Sequence, residues 1–412
     1  MPASPPRLAS PLFKASLLSI ALLMSDVGAV SPVLPDIAER FPEQSQAAIQ
    51  GFISFPAIAA LAATLVAGML SNKVGKRRLV LLGILLIVIG GLSPLVLIPV
   101  GSYPLVITFR LIAGFGMGLL QPLASSLIAD FYQGSERSKL LGWQSSMVGL
   151  GSILWSLVVT VLVLMGWMAA FFVYVLALVI FALVFRNVPE PTAAADTAAA
   201  QGSAGAAPAG RRLPKGIAVA VLAMFLMTLG FQAMTISTPF LASERDLAAT
   251  AQVGLVMTTF GVASVVAGVV FGLTYRALRA WTGLVALLVL AAGLASGYVA
   301  HSLAMLFVTA ILVGLGFGTY MPFAITAINA RATVHSSALS TALMFSGAAV
   351  AGFVAPYFYT AIGASTAGAQ FGASFVLILV TAVIGGVYHQ AEARWVRAEA
   401  ADAALDGKVL AA

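Results

Sequence analysis

The sequence predicts an all-α integral membrane protein, twelve transmembrane helices in two pseudo-symmetric six-helix bundles, and three observations carry that expectation. Apolar residues make up 61% of the 412-residue chain and charged residues 8%, against roughly half and about a quarter in a soluble domain. Twelve apolar runs are each long enough to cross a hydrocarbon core of roughly 30 Å, which takes about 20 helical residues. Four Gly and Pro positions of the fourth run recur 200 residues later in the tenth.

The first six runs extend from Phe13 to Leu34, Ala47 to Leu70, Leu79 to Val100, Pro104 to Ala129, Leu140 to Met165 and Met168 to Phe185. The second six extend from Ile217 to Leu241, Val253 to Leu273, Trp281 to Val299, Leu303 to Ala330, Ser337 to Ile362 and Phe371 to Tyr388. They are continuous rather than alternating, and a spanning segment must satisfy its own backbone, so helices follow and barrel strands do not. Arg7 and Lys14 ahead of the first run look like the start of a secretory signal. Eleven further runs favour an uncleaved first helix instead. The chain has no Cys, which excludes a disulfide framework and a thiolate metal site.

With the N-terminus in the cytoplasm, all 21 Lys and Arg residues except Arg40, Arg110 and Arg245 fall in inner loops and tails. This is the asymmetry of the positive-inside rule. The net charge of +7 therefore reports orientation and gives no reason to expect nucleic acid as a partner. The expected location is a bacterial-type inner (cell) membrane, crossed many times, with both termini cytoplasmic.

An Ala-, Gly- and Pro-rich stretch carrying Arg186, Arg211, Arg212 and Lys215 separates the two groups of runs and reads as a flexible linker. The expected organisation is an N-terminal bundle over residues 1–186, a cytoplasmic linker over 187–216, a C-terminal bundle over 217–389 and a cytoplasmic tail over 390–412. Gly114, Gly116, Gly118 and Pro122 reappear as Gly314, Gly316, Gly318 and Pro322. Small residues four apart let helices approach closely, which is reason enough for Gly114 and Gly118, and for Gly314 and Gly318. A shared offset at all four positions points further, to duplication. Equal parallel halves, related by an axis along the membrane normal, place a substrate site at their interface.

Two ionisable side chains sit well inside the runs, Asp26 in the first and Arg110 in the fourth, and intramembrane charges are candidates for function by default. At 1.5 Å per residue, Asp26 is roughly 12 Å and Arg110 roughly 9 Å below the outer surface. Their depths match, so the two can pair if the first and fourth spans are neighbours. Burial would raise the proton affinity of Asp26 and Arg110 would lower it. The pair serves either as a proton-coupling or substrate-linked site or as a static tie between helices.

The loop after the second run reads Gly68-Met69-Leu70-Ser71-Asn72-Lys73-Val74-Gly75-Lys76-Arg77-Arg78. It is a basic turn with Gly75 available for positive φ. It is not a phosphate-binding P-loop, because Arg77 stands where Ser or Thr is needed and the first glycine is misplaced, so ATP-driven transport has no support. The loop resembles the signature of the major facilitator superfamily, G-x-L-a-D-r-x-G-r-k, at Gly68, Leu70, Gly75, Lys76 and Arg77. It departs at Asn72, where the family has Asp. Arg110 with Gly114, Gly116 and Gly118 resembles the R-x-x-x-G-x-G motif of the twelve-span drug:proton antiporter branch. The resemblance covers nearly the whole chain. It implies a gating network on the inner side formed by the loop and Asp130, which Asn72 would weaken at the dipole of the eleventh span. Asp130 otherwise reads as a solvated acid at a helix end. The fifth span has Gly142, Gly149 and Gly151 but no proline of the antiporter kind, so export and import both stay open, although Asp26 followed by Pro32 and Pro35 resembles the acid-bearing first span of proton-coupled exporters.

The remaining polar and aromatic residues on candidate cavity helices are Gln50, Phe55, Gln121, Gln144, Trp155, Gln232, Phe260, Tyr320, Asn329 and Phe345. Of these, Gln50, Phe55, Gln144, Trp155, Gln232, Tyr320 and Phe345 are the expected substrate contacts. A surface so poor in charge suits a small amphipathic or lipophilic compound such as a drug, a siderophore or another metabolite. The expectation is a secondary active transporter that exports this compound against proton entry and works as a monomer in the bilayer, with no cofactor beyond the proton gradient. The alternative is proton-coupled uptake of a nutrient or organic anion, with Arg110 on a carboxylate. A polytopic enzyme would need a nucleophile, base or metal cluster near a membrane face. No such constellation is visible, and His301, His335 and His389 are too far apart in sequence for a metal site.

Overall fold

In a computed structural model, the structure describes residues 10–25, 28–191, 216–329 and 334–386, with backbone alone at 25, 72, 138, 329 and 334–339. Asp26, His389, most of the expected linker and the expected tail lie outside the described residues, as do the side chains of Asn72, Asn329 and His335.

Ten helical stretches among the described residues are long and apolar enough to cross a membrane. One of them, Thr250–Tyr298, turns at Arg279, where φ is +47°, and forms spans eight (Thr250–Leu278) and nine (Thr282–Tyr298). Span one adds the shorter apolar helix Pro11–Leu22, so twelve spans result. Spans two to six are Gln46–Val74, Lys76–Leu92 continued by Pro94–Val100, Tyr103–Phe131, Gly134–Val163, and Trp167–Tyr174 continued by Val175–Asn187. Span seven is Ile217–Gln232 continued to Glu244; spans ten, eleven and twelve are Leu303–Asn329, Val334–Ala361 and Ala367–Gly386.

Span one is not the unbroken helix from Phe13 to Leu34 that apolarity suggests. Its α-helix ends at Leu22, passes into a 3-10 turn at Leu23–Ser25, and resumes beyond a second turn at Ser31–Val33 as Leu34–Arg40. Pro32 and Pro35 open the second turn and the Leu34–Arg40 helix, at starting positions where a missing N–H costs nothing. Span seven is interrupted by a proline within it. Pro239 has no N–H for the Thr235 carbonyl and its ring crowds that group, and the chain answers with a π turn at Ala233–Ser237 in which Thr238 N–H reaches back to Ala233.

The glycine repeat fixes how each half packs. A Cβ on Gly114 or Gly118 would lie 2.3 Å from the Pro56 carbonyl oxygen or 2.1 Å from that of Ala60, so span four touches span two backbone to backbone. Gly314 and Gly318 meet the carbonyls of Phe260 and Ser264 in the same manner, which joins span ten to span eight. Gly116 and Gly316 face spans three and nine. The same small-residue ladder thus builds both bundles. The bundles meet along spans two and eleven and along spans five and eight, which are equivalent pairs under the pseudo-two-fold. Exposed Leu, Val, Phe and Met side chains, among them Val161, Met165, Phe185, Val269 and Val383, surround the outside, a surface suited to lipid rather than water.

Candidate functional site

Between the bundles lies a cavity of about 750 Å³ with walls from spans one, two, four, five, seven, eight, ten and eleven. That volume is in the range of small-molecule sites. The face of the protein bearing Lys73, Lys76, Arg77 and Arg78 is called the basic face here. Toward it, the lining residues Leu65, Gln121 and Phe345 are exposed, so the cavity opens on this side. No charged side chain occurs among its described lining residues.

Toward the opposite face the bundles are closed against each other. Fully buried Gln50 of span two donates through Nε2 to Gln370 Oε1 of span twelve at 2.9 Å and to the Ile236 carbonyl in the π turn at 3.4 Å. The Ser237 hydroxyl donates to the same Gln370 oxygen at 2.5 Å, and Gln370 donates to the Ala364 carbonyl. Thr250 at the start of span eight donates to Asp36 Oδ2 at 3.4 Å. Burial, reinforced by Glu39, pushes the Asp36 carboxyl above its usual range, and the Thr250 bond works against that shift. Beneath this layer Phe55 stacks on Tyr357 at 6.0 Å and touches Phe353.

Arg110 is 1% exposed and sits below the seam. Its Nη1 donates to the Tyr174 hydroxyl at 2.7 Å and its Nε to the Phe52 carbonyl at 3.3 Å, while the guanidinium lies 4.6 Å from the Phe52 ring centroid. Two ring faces and two oxygens therefore hold the charge within the N-terminal bundle. Asp26 lies outside the described residues, so its pairing with Arg110 stands as an expectation. Its described neighbours Met24 and Gly28 both line the cavity.

On the basic face, Lys76 Nζ binds both carboxylate oxygens of Asp130, at 2.8 and 2.7 Å, with the Asp130 side chain fully buried. Asp130 is thus the buried partner of the loop rather than a solvated acid. Arg77 turns elsewhere: its Nη2 donates to the Phe185 carbonyl at 2.7 Å and its backbone N–H to Glu190 Oε1 at 3.1 Å. Gly75, at φ +98°, is where the chain reverses between spans two and three, and a Cβ there would strike the Glu190 carboxylate at 2.6 Å. Gly68 has open space around its Cα, so no packing constraint explains it. A second pair on this face, Lys14 with Glu136 at 2.6 Å, ties span one to span five.

Of the expected substrate contacts, Gln232 and Phe345 line the cavity, together with Gln121 and Phe260. Gln50 and Phe55 lie in the closed seam. Gln144 accepts from Ser125 inside the N-terminal bundle, and Trp155, 1% exposed, donates to the Leu22 carbonyl at 2.7 Å and caps the broken end of span one. Tyr320 borders a separate apolar pocket of about 140 Å³ within the C-terminal bundle. Sequence reasoning missed Phe231, Phe317, Thr228 and Thr235 of the cavity and Gln370, Ser237 and Tyr174 around it. Polar residues of spans seven and twelve carried a signal, as isolated amides or hydroxyls in apolar runs, but nothing in their spacing indicated what they face.

Comparison with known proteins agrees with this architecture. A family model described as Major Facilitator Superfamily matches residues 16–251. Multidrug resistance protein 3 of Bacillus subtilis (strain 168) is 35% identical over 97 residues, a match spanning 24% of this chain and 18% of that relative's length. Among solved structures, a bacterial homologue of the human lysosomal transporter Spinster, in an inward-facing and unoccupied conformation, superposes with a TM-score of 0.71 at 16% identity, over 93% of this chain and 97% of the other. The xylose transporter of E. coli in a partially occluded inward open conformation gives 0.69 at 15% identity, over 91% and 98%. These structural likenesses speak to the fold. Because the family model covers more than half of the chain, and its twelve spans pack as two matching bundles around a central cavity, this protein belongs to the Major Facilitator Superfamily.

Proposed function

We propose that this protein is a secondary transporter, rather than an enzyme, that exports a small amphipathic or lipophilic compound against proton entry by alternating access. The observation that carries the reading is the cavity of about 750 Å³, shared by both bundles, open on the basic face and sealed at the Gln50–Gln370 seam. The charge asymmetry makes the basic face cytoplasmic, in a bacterial-type inner membrane, so the cavity loads from inside. Exchange of the Gln50 seam for a closed basic face would carry the compound outward in a single functional chain.

In this reading Asp26 carries the proton, and Arg110 adjusts its affinity from the buried site beside Tyr174. The Lys76–Asp130 pair, with Gly75 and Arg77, stiffens the basic face so that it closes as a unit. The similarity to a multidrug resistance protein supports export. Uptake of an organic anion would use Arg110 as the carboxylate site, and Arg110 does not line the cavity.

The test is proteoliposomes holding a pH-sensitive dye, challenged with a compound library under an imposed proton gradient. A compound-triggered proton flux that disappears in Asp26→Asn, with normal insertion, is the expected result. Unchanged coupling in that variant overturns the role of Asp26, and accumulation in place of exclusion overturns the direction.

A further inference from the structure

We infer that the cavity selects a compound with no negative charge, a planar aromatic system and a hydrogen-bonding edge, the rings taken by Phe231, Phe260 and Phe317 and the edge by Gln121 and Gln232. This rests on the transport reading and narrows its substrate class.

The two walls differ in chemistry. On the C-terminal side, Phe231 of span seven and Phe317 of span ten stack with centroids 4.4 Å apart at 26°, and Phe260 of span eight lies 5.4 and 6.1 Å from them. Three helices thus present one aromatic surface. Its rings are half-buried and line the cavity, so part of the π surface stays available. The facing N-terminal wall has no aromatic ring among its described lining residues and mixes small side chains such as Ala57 and Ala60 with aliphatic ones such as Ile53, Leu61 and Met117. A flat ring system entering the cavity meets aromatic faces on one side and an aliphatic surface on the other, and offset stacking on the aromatic side rewards that geometry.

Negative charge is disfavoured by what surrounds the rings. No Lys, Arg or His occurs among the described lining residues, and Asp26, the proton carrier of the transport reading, would repel an anion, so an anion leaving water here loses solvation without a counter-charge. A neutral polar edge instead finds two carboxamides, one per bundle, each able to donate and accept. Gln121 is exposed to the cavity from span four. Among the described residues Gln232 makes a single long contact, 3.5 Å from Nε2 to the Gly352 carbonyl, which leaves it adaptable. It stands at the mouth of the π turn forced by Pro239, and such turns recur where a helix is bent to a functional purpose.

The test uses the full chain in lipid nanodiscs, with no proton gradient, and fluorescence titration against empty nanodiscs. The probes are N-phenyl-1-naphthylamine, which is neutral with one N–H, its hydrocarbon twin 1-phenylnaphthalene, and its anionic relative 8-anilino-1-naphthalenesulfonate. The amine should bind saturably, and the anion at least about tenfold more weakly. Phe317→Ala and the bulk-preserving Phe317→Leu should each weaken the amine, by up to about tenfold. Gln232→Leu should weaken the amine roughly three- to tenfold and leave the hydrocarbon unchanged. The anion bound as tightly as the amine, full affinity in Phe317→Leu, or an equal effect of Gln232→Leu on both neutral probes overturns the inference. Because binding is read without a gradient, a protein that binds the amine but couples no protons refutes the coupling reading alone, and one that couples protons but prefers the anion refutes this selectivity alone.

Discussion

Replacing either glutamine of the seam removes the same cross-bundle hydrogen bond, yet the two replacements should have different effects. Gln370→Leu strips Gln50 Nε2 of its 2.9 Å partner and the Ser237 hydroxyl of its acceptor, in a site where Gln50, Ser237 and Gln370 are all buried. Two stranded donors at about 1–3 kcal/mol each, eased where water enters, destabilise the closed seam by about 2–4 kcal/mol. That is on the order of 30-fold or more in the open-to-closed ratio. Gln50→Met loses about 1 kcal/mol of bonding, leaves Gln370 Oε1 with the Ser237 donor, and also removes Gln50 Oε1, a buried acceptor that has no partner. The closed seam should then be unchanged or slightly favoured. The chain has no Cys, so Glu43→Cys and Ala249→Cys, at exposed sites on the two sides of the seam, can carry spin labels without background. Distance distributions by pulsed electron paramagnetic resonance should lengthen in Gln370→Leu and stay put in Gln50→Met. Equal lengthening in both, or none in either, refutes the accounting.

Other perturbations follow from the same geometry. Asp130→Ala removes the carboxylate that holds buried Lys76, and thermal unfolding should report a loss of roughly 3–5 kcal/mol; the double variant with Lys76→Ala should cost clearly less than the sum of the single ones. Gly118→Ala and Gly318→Ala each drive a Cβ into a carbonyl oxygen, at 2.1 and 2.2 Å, and should destabilise by comparable amounts, about 1–3 kcal/mol; a cost in only one half would count against equivalent packing. Arg110→Lys keeps the charge but loses the fork that reaches both Tyr174 and Phe52, so proton-coupled flux should fall while Gln232-dependent probe binding persists. Because burial raises the Asp36 carboxyl, the closed seam binds its proton more tightly than the open one. Its closed population should therefore be highest below the ordinary 3.8 and fall as pH rises through the raised range. The same label pair should show this trend and lose it in Asp36→Asn.

Parts of the fold and site were legible in one dimension because their causes are local or compositional. Lys76 and Asp130 lie at the ends of adjacent spans, and their pairing was implied by the loop's resemblance to the family signature, whereas the residues alone left Asp130 a solvated acid. The glycines of spans four and ten were legible because a helix can approach another so closely only where Cβ is absent. The broken first span was less so: apolarity continues from Leu22 to Leu34, and hydropathy does not register where a helix ends.

The partition of the aromatic and amide residues could not be read in this way. Gln50 and Gln370 are 320 residues apart, and Gln50 and Gln232 are both single amides in apolar helices. One closes the seam and the other lines the cavity because the bundles lean together on one face and apart on the other. Composition, run length, charge asymmetry and the internal repeat by themselves determined a twelve-span membrane protein of two related halves, since lipid imposes those constraints on each segment separately. Only the tertiary structure decided which polar groups face the cavity and which lock it, because that depends on the relative tilt of two bundles, a quantity no single helix contains.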